Sequence, residues 1–226
     1  MTVQSTAGLR SLRALPPNDM VAQVAEVLRH QRVRAVKVGA LGSEANVRAL
    51  ARLLAQHRSI PVVVDTPMLP TRGRARLLAA RAVAVLKDEL MAHATLVTVN
   101  VAEARALLGE RVRTVGEAHD AAMALGSTGA RAVLVKGGHL DGEDAIDVLA
   151  LGGEVIELRA RRLALPPVHG AGCTLASLVA GRIARRPGAG LDRVELVAAI
   201  RWAKRVHHAA LAKVVDVGRG MRVIVF

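Results

Sequence analysis

Tyrosine is absent from this 226-residue chain, and Trp202 and Phe226 are its only aromatic residues apart from histidine. With hydrophobic residues at 52% but aromatics at 1%, aliphatic and alanine side chains must fill the interior. The same scarcity removes the stacking platforms on which single-stranded nucleic acid is usually seated. Cys173 is the only cysteine, which excludes an intrachain disulfide and any cysteine-cluster metal site. No apolar run has the length and uniformity of a membrane-crossing helix. Met1-Thr2-Val3-Gln4 shows no signal-peptide pattern, so a cytoplasmic location is the default expectation. His30, His57, His93 and His119 follow no metal-ligand spacing, and His207-His208 read as surface or dipole-capping residues near a helix end.

Acidic residues are also in short supply: 19 Asp and Glu face 32 Lys and Arg, a net charge of +13. Such a surplus can mark a nucleic-acid binder. Here the arginines are scattered (Arg10, Arg29, Arg52, Arg74, Arg161, Arg185), with no dense basic tail. They read as solvated helix faces whose summed field draws in small anions.

Strand-like and helix-like segments alternate. Pro16-Pro17-Asn18-Asp19 opens a helix to about Arg29, with Val21, Val24 and Leu28 at helical spacing. A strand at 34–38 leads to a helix from Ser43 to about Gln56. A strand at 61–65 leads into a Pro/Gly loop at 66–73, then a helical pattern at 75–91. A strand at 96–98, short helices to Leu108 and over 115–125, and a strand ending at Lys136 follow. Segments 144–151 and 154–165 flank Gly152-Gly153 as a β-hairpin. A helix to Arg185, a break at 187–190, a long helix over 192–214 and an apolar stretch at 223–226 complete the chain. The alternation predicts one α/β domain over 1–226: a mostly parallel sheet with helices on both faces, plus the hairpin.

The chemistry concentrates at strand ends. Val168-His169-Gly170-Ala171-Gly172-Cys173-Thr174-Leu175 reads as a glycine-rich loop opening into a helix. Free N–H groups at a helix start, with the positive end of its dipole, suit an anion. Cys173 there should have a lowered pKa; a plain glycine turn with a buried cysteine is the competing reading. Ala132-Val133-Leu134-Val135-Lys136-Gly137-Gly138-His139 looks like a buried strand delivering a lysine to the sheet edge, where open α/β sheets bind ligands; a solvated strand-end lysine is its alternative. Asn100 is a plausible N-cap with Glu103 as its capping-box partner, or Glu103 lies near Mg²⁺ through water. Val62-Val63-Val64-Asp65 ends in an acid, and Lys37-Val38-Gly39-Ala40-Leu41-Gly42-Ser43 in a glycine turn.

In this order, Lys37-Val38-Gly39-Ala40-Leu41-Gly42, Val64-Asp65, Thr98 to Ala104, Val135 to Leu140 and His169 to Leu175 resemble the hydroxymethylpyrimidine/phosphomethylpyrimidine kinases of thiamine biosynthesis. These belong to the ribokinase-like superfamily, whose sugar kinases carry Asp where this chain has Cys173. The resemblance runs from Thr2 to about Ala184 and implies a three-layer sandwich. It implies Cys173 as catalytic base on the acceptor hydroxyl, with Gly170, Ala171, Gly172 and Cys173 offering N–H groups to the transferred phosphoryl. Lys136, Gly137, Thr98 and Asn100 would hold ATP, and Glu103 with Asp65 would position Mg²⁺. Gln4, Gly39, Ala40, Met68 and Cys173 would line the pyrimidine pocket, and a homodimer is expected.

Four positions depart from the family pattern: Thr66 and Val99 replace prolines, Ala171 replaces the middle threonine of the anion loop, and Ala40 stands where methionine is common. Met1 abuts the segment leading to Gln4, so the opening strand–helix unit is expected to be missing. A pyridoxal-type kinase of the same superfamily and a non-catalytic pyrimidine- or nucleotide-binding paralogue remain as alternatives.

Overall fold

The structure is a computed structural model that describes residues 1–65, 67–68, 77–186, 190–218 and 220–226. Strands β1 (Thr2–Ser5) and β2 (Gly8–Leu12) form an opening antiparallel hairpin, which the sequence pattern did not reveal. Helix α1 (Pro17–His30) follows, with proline in its first turn where no amide donor is needed. Strand β3 (Val36–Val38) leads to α2 (Glu44–Ala55), whose Ser43 hydroxyl caps the Asn46 N–H.

Strand β4 (Val62–Asp65) is buried throughout. The Pro/Gly loop expected next, including Thr66, lies largely outside the described residues. Of the helix expected over 75–91, residues 75 and 76 lie outside the described residues, and the helix observed begins only at Ala82. Leu78 forms a parallel bridge with Gly42, so the chain is extended there, and α3 (Ala82–Val85) continues into a π-helical turn at Leu86–Leu90. Leu78, Ala82, Val85, Leu86 and Leu90 are all buried, a spacing that a single helix would also produce.

Strand β5 (Leu96–Asn100) passes directly into α4 (Val101–Leu108), then α5 (Val115–Gly126) and β6 (Ala132–Lys136). Strands β7 (Asp144–Leu151) and β8 (Glu154–Arg161) form the expected hairpin. Strand β9 (Val168–His169) precedes α6 (Ala171–Ala184), and α7 (Arg193–Leu211) is capped by Asp192. At the end, β10 (Val215–Asp216) pairs with β11 (Arg222–Val223), which pairs in turn, parallel, with β9. The final apolar stretch is thereby tied to the segment that enters α6.

The central sheet has the order β3-β4-β5-β6-β7-β8, parallel through β6 and antiparallel thereafter. Side chains alternate between its faces. Val62, Val64, Val97, Val99, Val133, Val135 and Val148 join one core with residues of α2 to α5. Val63, Leu96, Ala132, Leu134 and Leu149 join the other, with Leu175, Val179, Leu196 and Ile200 of α6 and α7. The fold is thus the expected three-layer α/β sandwich.

Leu149 has no exposed surface and fills the layer beneath α6 and α7. Leu149→Ala is expected to cost about 2–5 kcal/mol of stability, read by urea unfolding. A loss under about 1 kcal/mol would place Leu149 outside the load-carrying core.

Candidate active site

The two-residue period of the strands gathers the site. Asp65, Thr98 and Lys136 follow Val63, Leu96 and Leu134 by two residues, so they emerge on the α6 face at the carboxyl ends of their strands. Lys37 pairs across from Val63 and shares that face. Each strand switches there from an apolar side chain to a polar one, and α6 begins directly above them.

Lys136 Nζ lies 3.1 Å from Asp65 Oδ1 and 3.8 Å from Glu103 Oε2. Thr98 Oγ1 donates to Asp65 Oδ1 at 3.1 Å, and Lys37 Nζ stands 3.7 Å from Asp65 Oδ2. Asp65 is buried. Burial pushes its carboxyl up, but the Lys136 and Lys37 charges outweigh this and hold it below the usual carboxylate range. Burial likewise works against the charge of Lys136, yet Asp65 and Glu103 raise its pKa above the ordinary lysine value. Lys37 was missed as a site residue by sequence reasoning: it sits inside a strand, and only the register shows which face it shares.

Glu103 fulfils the capping-box reading. Its Oε2 accepts the Asn100 N–H at 2.7 Å, while Asn100 Oδ1 accepts the Glu103 N–H at 2.8 Å. It is also buried and bonded to the Met68 backbone; burial outweighs these bonds and the Lys136 charge, so its pKa is raised. The cap also brings the carboxylate within 3.8 Å of Lys136 Nζ. Among the described residues no group of three or more acids, histidines or cysteines could hold a metal ion.

Helix α6 starts without a side-chain cap, its N-cap Gly170 in the left-handed region at φ 75°. Helices α2, α4, α5 and α7 are capped by Ser43, Asn100, Thr114 and Asp192, while α1 and α3 share with α6 the lack of a side-chain cap. A Cβ on Gly172 would stand 3.0 Å from Lys136 Nζ, so glycine lets the lysine reach up to the helix start. Backbone donors at the start of α6 and the Lys136 cation thus lie close together.

The expectation of a lowered Cys173 pKa is overturned. Cys173 is an exposed residue, not the buried cysteine of the competing reading; partial desolvation of its thiol and the negative charge of Asp65 push it up, and Asp65 also accepts its hydrogen bond, while Lys37 and Lys136 offset this only in part. The local dipole argument missed Asp65, which comes from a distant strand.

Gly137 turns the chain immediately after Lys136. Its N–H donates to Asp147 Oδ1 at 2.8 Å, and a Cβ there would overlap the Ile146 carbonyl oxygen at 1.7 Å. Asp147 in turn pairs with Lys204 Nζ of α7 at 2.7 Å. His207 is not the surface residue expected. Its ring bonds the Ala171 backbone, burial lowers its pKa, and among the described residues its Nε2 is buried without a partner. His208 Nε2 meets the Arg161 carbonyl at 2.8 Å.

Among the residues expected to line a pyrimidine pocket, Met68 is buried and touches Glu103 through its backbone. Gly39 lies beside Lys37, a Cβ there standing 3.0 Å from Nζ. Ala40 is exposed. Gln4 sits exposed on β1, and among the described residues nothing joins it to the Lys136 cluster.

The chain is similar to several known proteins. The chain is 35% identical over 227 residues to a hydroxymethylpyrimidine/phosphomethylpyrimidine kinase of Rhizobium meliloti, covering 97% of this chain and 80% of that protein. It is 37% identical over 226 residues to a chloroplastic thiamine biosynthetic bifunctional enzyme of Arabidopsis thaliana, covering 98% of this chain. It spans 42% of that enzyme and 43% of a thiamine biosynthesis bifunctional protein of Geobacter sulfurreducens.

Among solved structures, the ADP complex of Bacillus subtilis pyridoxal kinase matches with TM-score 0.80 and 27% identity, over 93% of this chain and 76% of that one. A phosphomethylpyrimidine kinase of Clostridium difficile matches with TM-score 0.74 and 26% identity, over 93% and 83%. The phosphomethylpyrimidine kinase family itself matches residues 1–224, and on that span, with its strand-end residues and its uncapped α6 in place, this chain belongs to it.

Proposed function

We propose that the chain, acting as one kinase domain, transfers the γ-phosphoryl group of ATP to 4-amino-5-hydroxymethyl-2-methylpyrimidine and then to the resulting monophosphate. The observation that carries this reading is Lys136 held by Asp65 directly beneath the uncapped start of α6. Phosphoryl transfer asks chiefly for in-line positioning and charge neutralisation, and the site offers both. The kinship with the Rhizobium meliloti kinase supports the pyrimidine substrates.

The chain's residues divide the work. Lys136 takes the phosphates, with Thr98 and Asn100 at the neighbouring strand end. The N–H groups of Ala171, Gly172 and Cys173 receive the moving phosphoryl. They survive the alanine at 171, because the donors belong to the backbone. ATP carries its own Mg²⁺; this cation prefers oxygen ligands and retains waters, so Glu103 and Asp65 fit a water-mediated role beside Lys136. Cys173 faces the acceptor hydroxyl with its proton directed at Asp65. A loose transition state needs that hydroxyl proton removed late, so the Cys173–Asp65 pair can take it without a standing thiolate. Gly39, Ala40, Met68 and Gln4 complete the proposed pyrimidine pocket. Likeness to pyridoxal kinase of Bacillus subtilis gives a second substrate to test.

Purified chain with Mg·ATP and the hydroxymethylpyrimidine is expected to yield mono- and diphosphate by mass spectrometry, with less product from pyridoxal. Preference for pyridoxal would transfer the assignment to that alcohol. ATP binding with no product from either would identify a binding paralogue. Lys136→Ala should weaken ADP binding about tenfold or more. Cys173→Ala should slow turnover by roughly 10²-fold, the lower range for a general base, with ADP affinity within a few-fold; unchanged turnover would remove Cys173 from the proton path.

The thiol gives a pH test. Because its pKa is raised, the alkylation rate with iodoacetamide should rise with pH through a midpoint above that of ordinary cysteine. Asp65→Asn removes the adjacent negative charge and should bring the midpoint down. A wild-type midpoint below the free-cysteine value of about 8.5 would contradict this arrangement.

A further inference from the structure

We propose that Arg162 is a positioning residue for the nucleotide: it clamps the loop after Lys136 so that the Gly137-Gly138 turn keeps the shape the phosphates require. This rests on the kinase reading above. Arg162 follows the last residue of β8 and is only partly exposed. Its Nη1 donates to the Gly138 carbonyl at 2.7 Å, Nη2 to Leu140 at 2.7 Å and to Asp144 at 2.9 Å, and Nε to Gly142 at 2.9 Å. One guanidinium thus takes up four carbonyls of the segment joining Gly138 to β7. Among the described residues no carboxylate pairs with it.

An arginine beside a phosphate site is usually read as a phosphate ligand. Arg162 has four of its five N–H donors committed to carbonyls, so its part is to shape the loop. Carbonyl oxygens are the negative ends of peptide dipoles, and four of them on one loop need a cation to hold them together. Arg162 collects these carbonyls on one cation and so fixes the path of the chain that follows Gly137. The other end of the turn is fixed independently, by Asp147 on the Gly137 N–H and by the Ile146 carbonyl packed against Gly137. Between them Asp141 N donates to the Arg113 carbonyl at 2.9 Å. The loop is exposed at Gly138, His139 and residues 141–144, so little packing would hold it without these bonds. Lysine cannot substitute: it has three donors on one atom and no planar fork.

The test compares wild type, Arg162→Ala and Arg162→Lys by calorimetric titration with ADP, steady-state kinetics and amide exchange over residues 138–144. Arg162→Ala should weaken ADP binding about tenfold, the loss of charge-assisted hydrogen bonds that order the loop. KM for ATP should rise while KM for the pyrimidine stays within about twofold, and loop amides should exchange faster. Arg162→Lys, which keeps charge and stem, should resemble the alanine variant, and millimolar guanidinium should restore part of the ADP affinity of Arg162→Ala. ADP affinity within about twofold of wild type in either folded variant would overturn the inference while leaving the kinase reading intact. Wild-type chain that fails to bind ADP would overturn both.

Discussion

Lys136 and Asp65 form an ion pair in a place that neither charge would occupy alone, and the arrangement of the site depends on it. Taking such groups out of water costs on the order of several kcal/mol per ion, which mutual attraction repays only with good geometry and further hydrogen bonds. The structure supplies these: Thr98 donates to the same Asp65 oxygen, Lys37 stands near the other, and Glu103 approaches Lys136 from α4. Apolar residues of similar size would pack at least as well. The pair is therefore poorly explained as a stabilising device, and under the proposed function it is a charge kept ready for an anion.

Two layers hold that charge in place. The first is the sheet, whose two-residue period brings Lys37, Asp65, Thr98 and Lys136 to one face over a floor of Val63, Leu96 and Leu134. The second is the hairpin β7–β8, which is antiparallel and reaches back to the carboxyl end of β6. Asp147 at the start of β7 grips the Gly137 amide, and Arg162 just past β8 collects the carbonyls of the following loop. The hairpin serves as the frame for the turn after Lys136 as well as the edge of the sheet.

The sequence made the strands and most helices legible, because buried parallel strands are short apolar runs and their helices carry side-chain caps. It made Lys136, Asp65 and Glu103 legible as strand-end or cap residues for the same reason. What it concealed depended on register or on distant partners. Lys37 lies within a strand, and its face is known only from its pairing with Val63. The Cys173 thiol was misjudged because the helix dipole is local in sequence while Asp65 is not. Residues 75–91 misled because an extended segment and a helix with a π turn can both bury apolar residues at mixed spacing. The β1–β2 hairpin lacks an apolar alternation strong enough to announce it, being exposed at every residue of β1.

Helix α7 joins these pieces. Lys204 and His207 lie three residues apart, so they fall on neighbouring positions of one helical face. Lys204 meets Asp147, the acceptor of the Gly137 amide, and His207 meets the Ala171 backbone at the start of α6. A single helix therefore braces both walls of the proposed phosphate site, the glycine turn on one side and the anion loop on the other. This also bears on the alanine at 171. A threonine hydroxyl there could add a contact, but the donors of the loop are backbone groups, and their direction is set by Gly170, by the helix that follows and by His207 behind it. A position whose side chain does none of this can lose a hydroxyl and leave the hole standing.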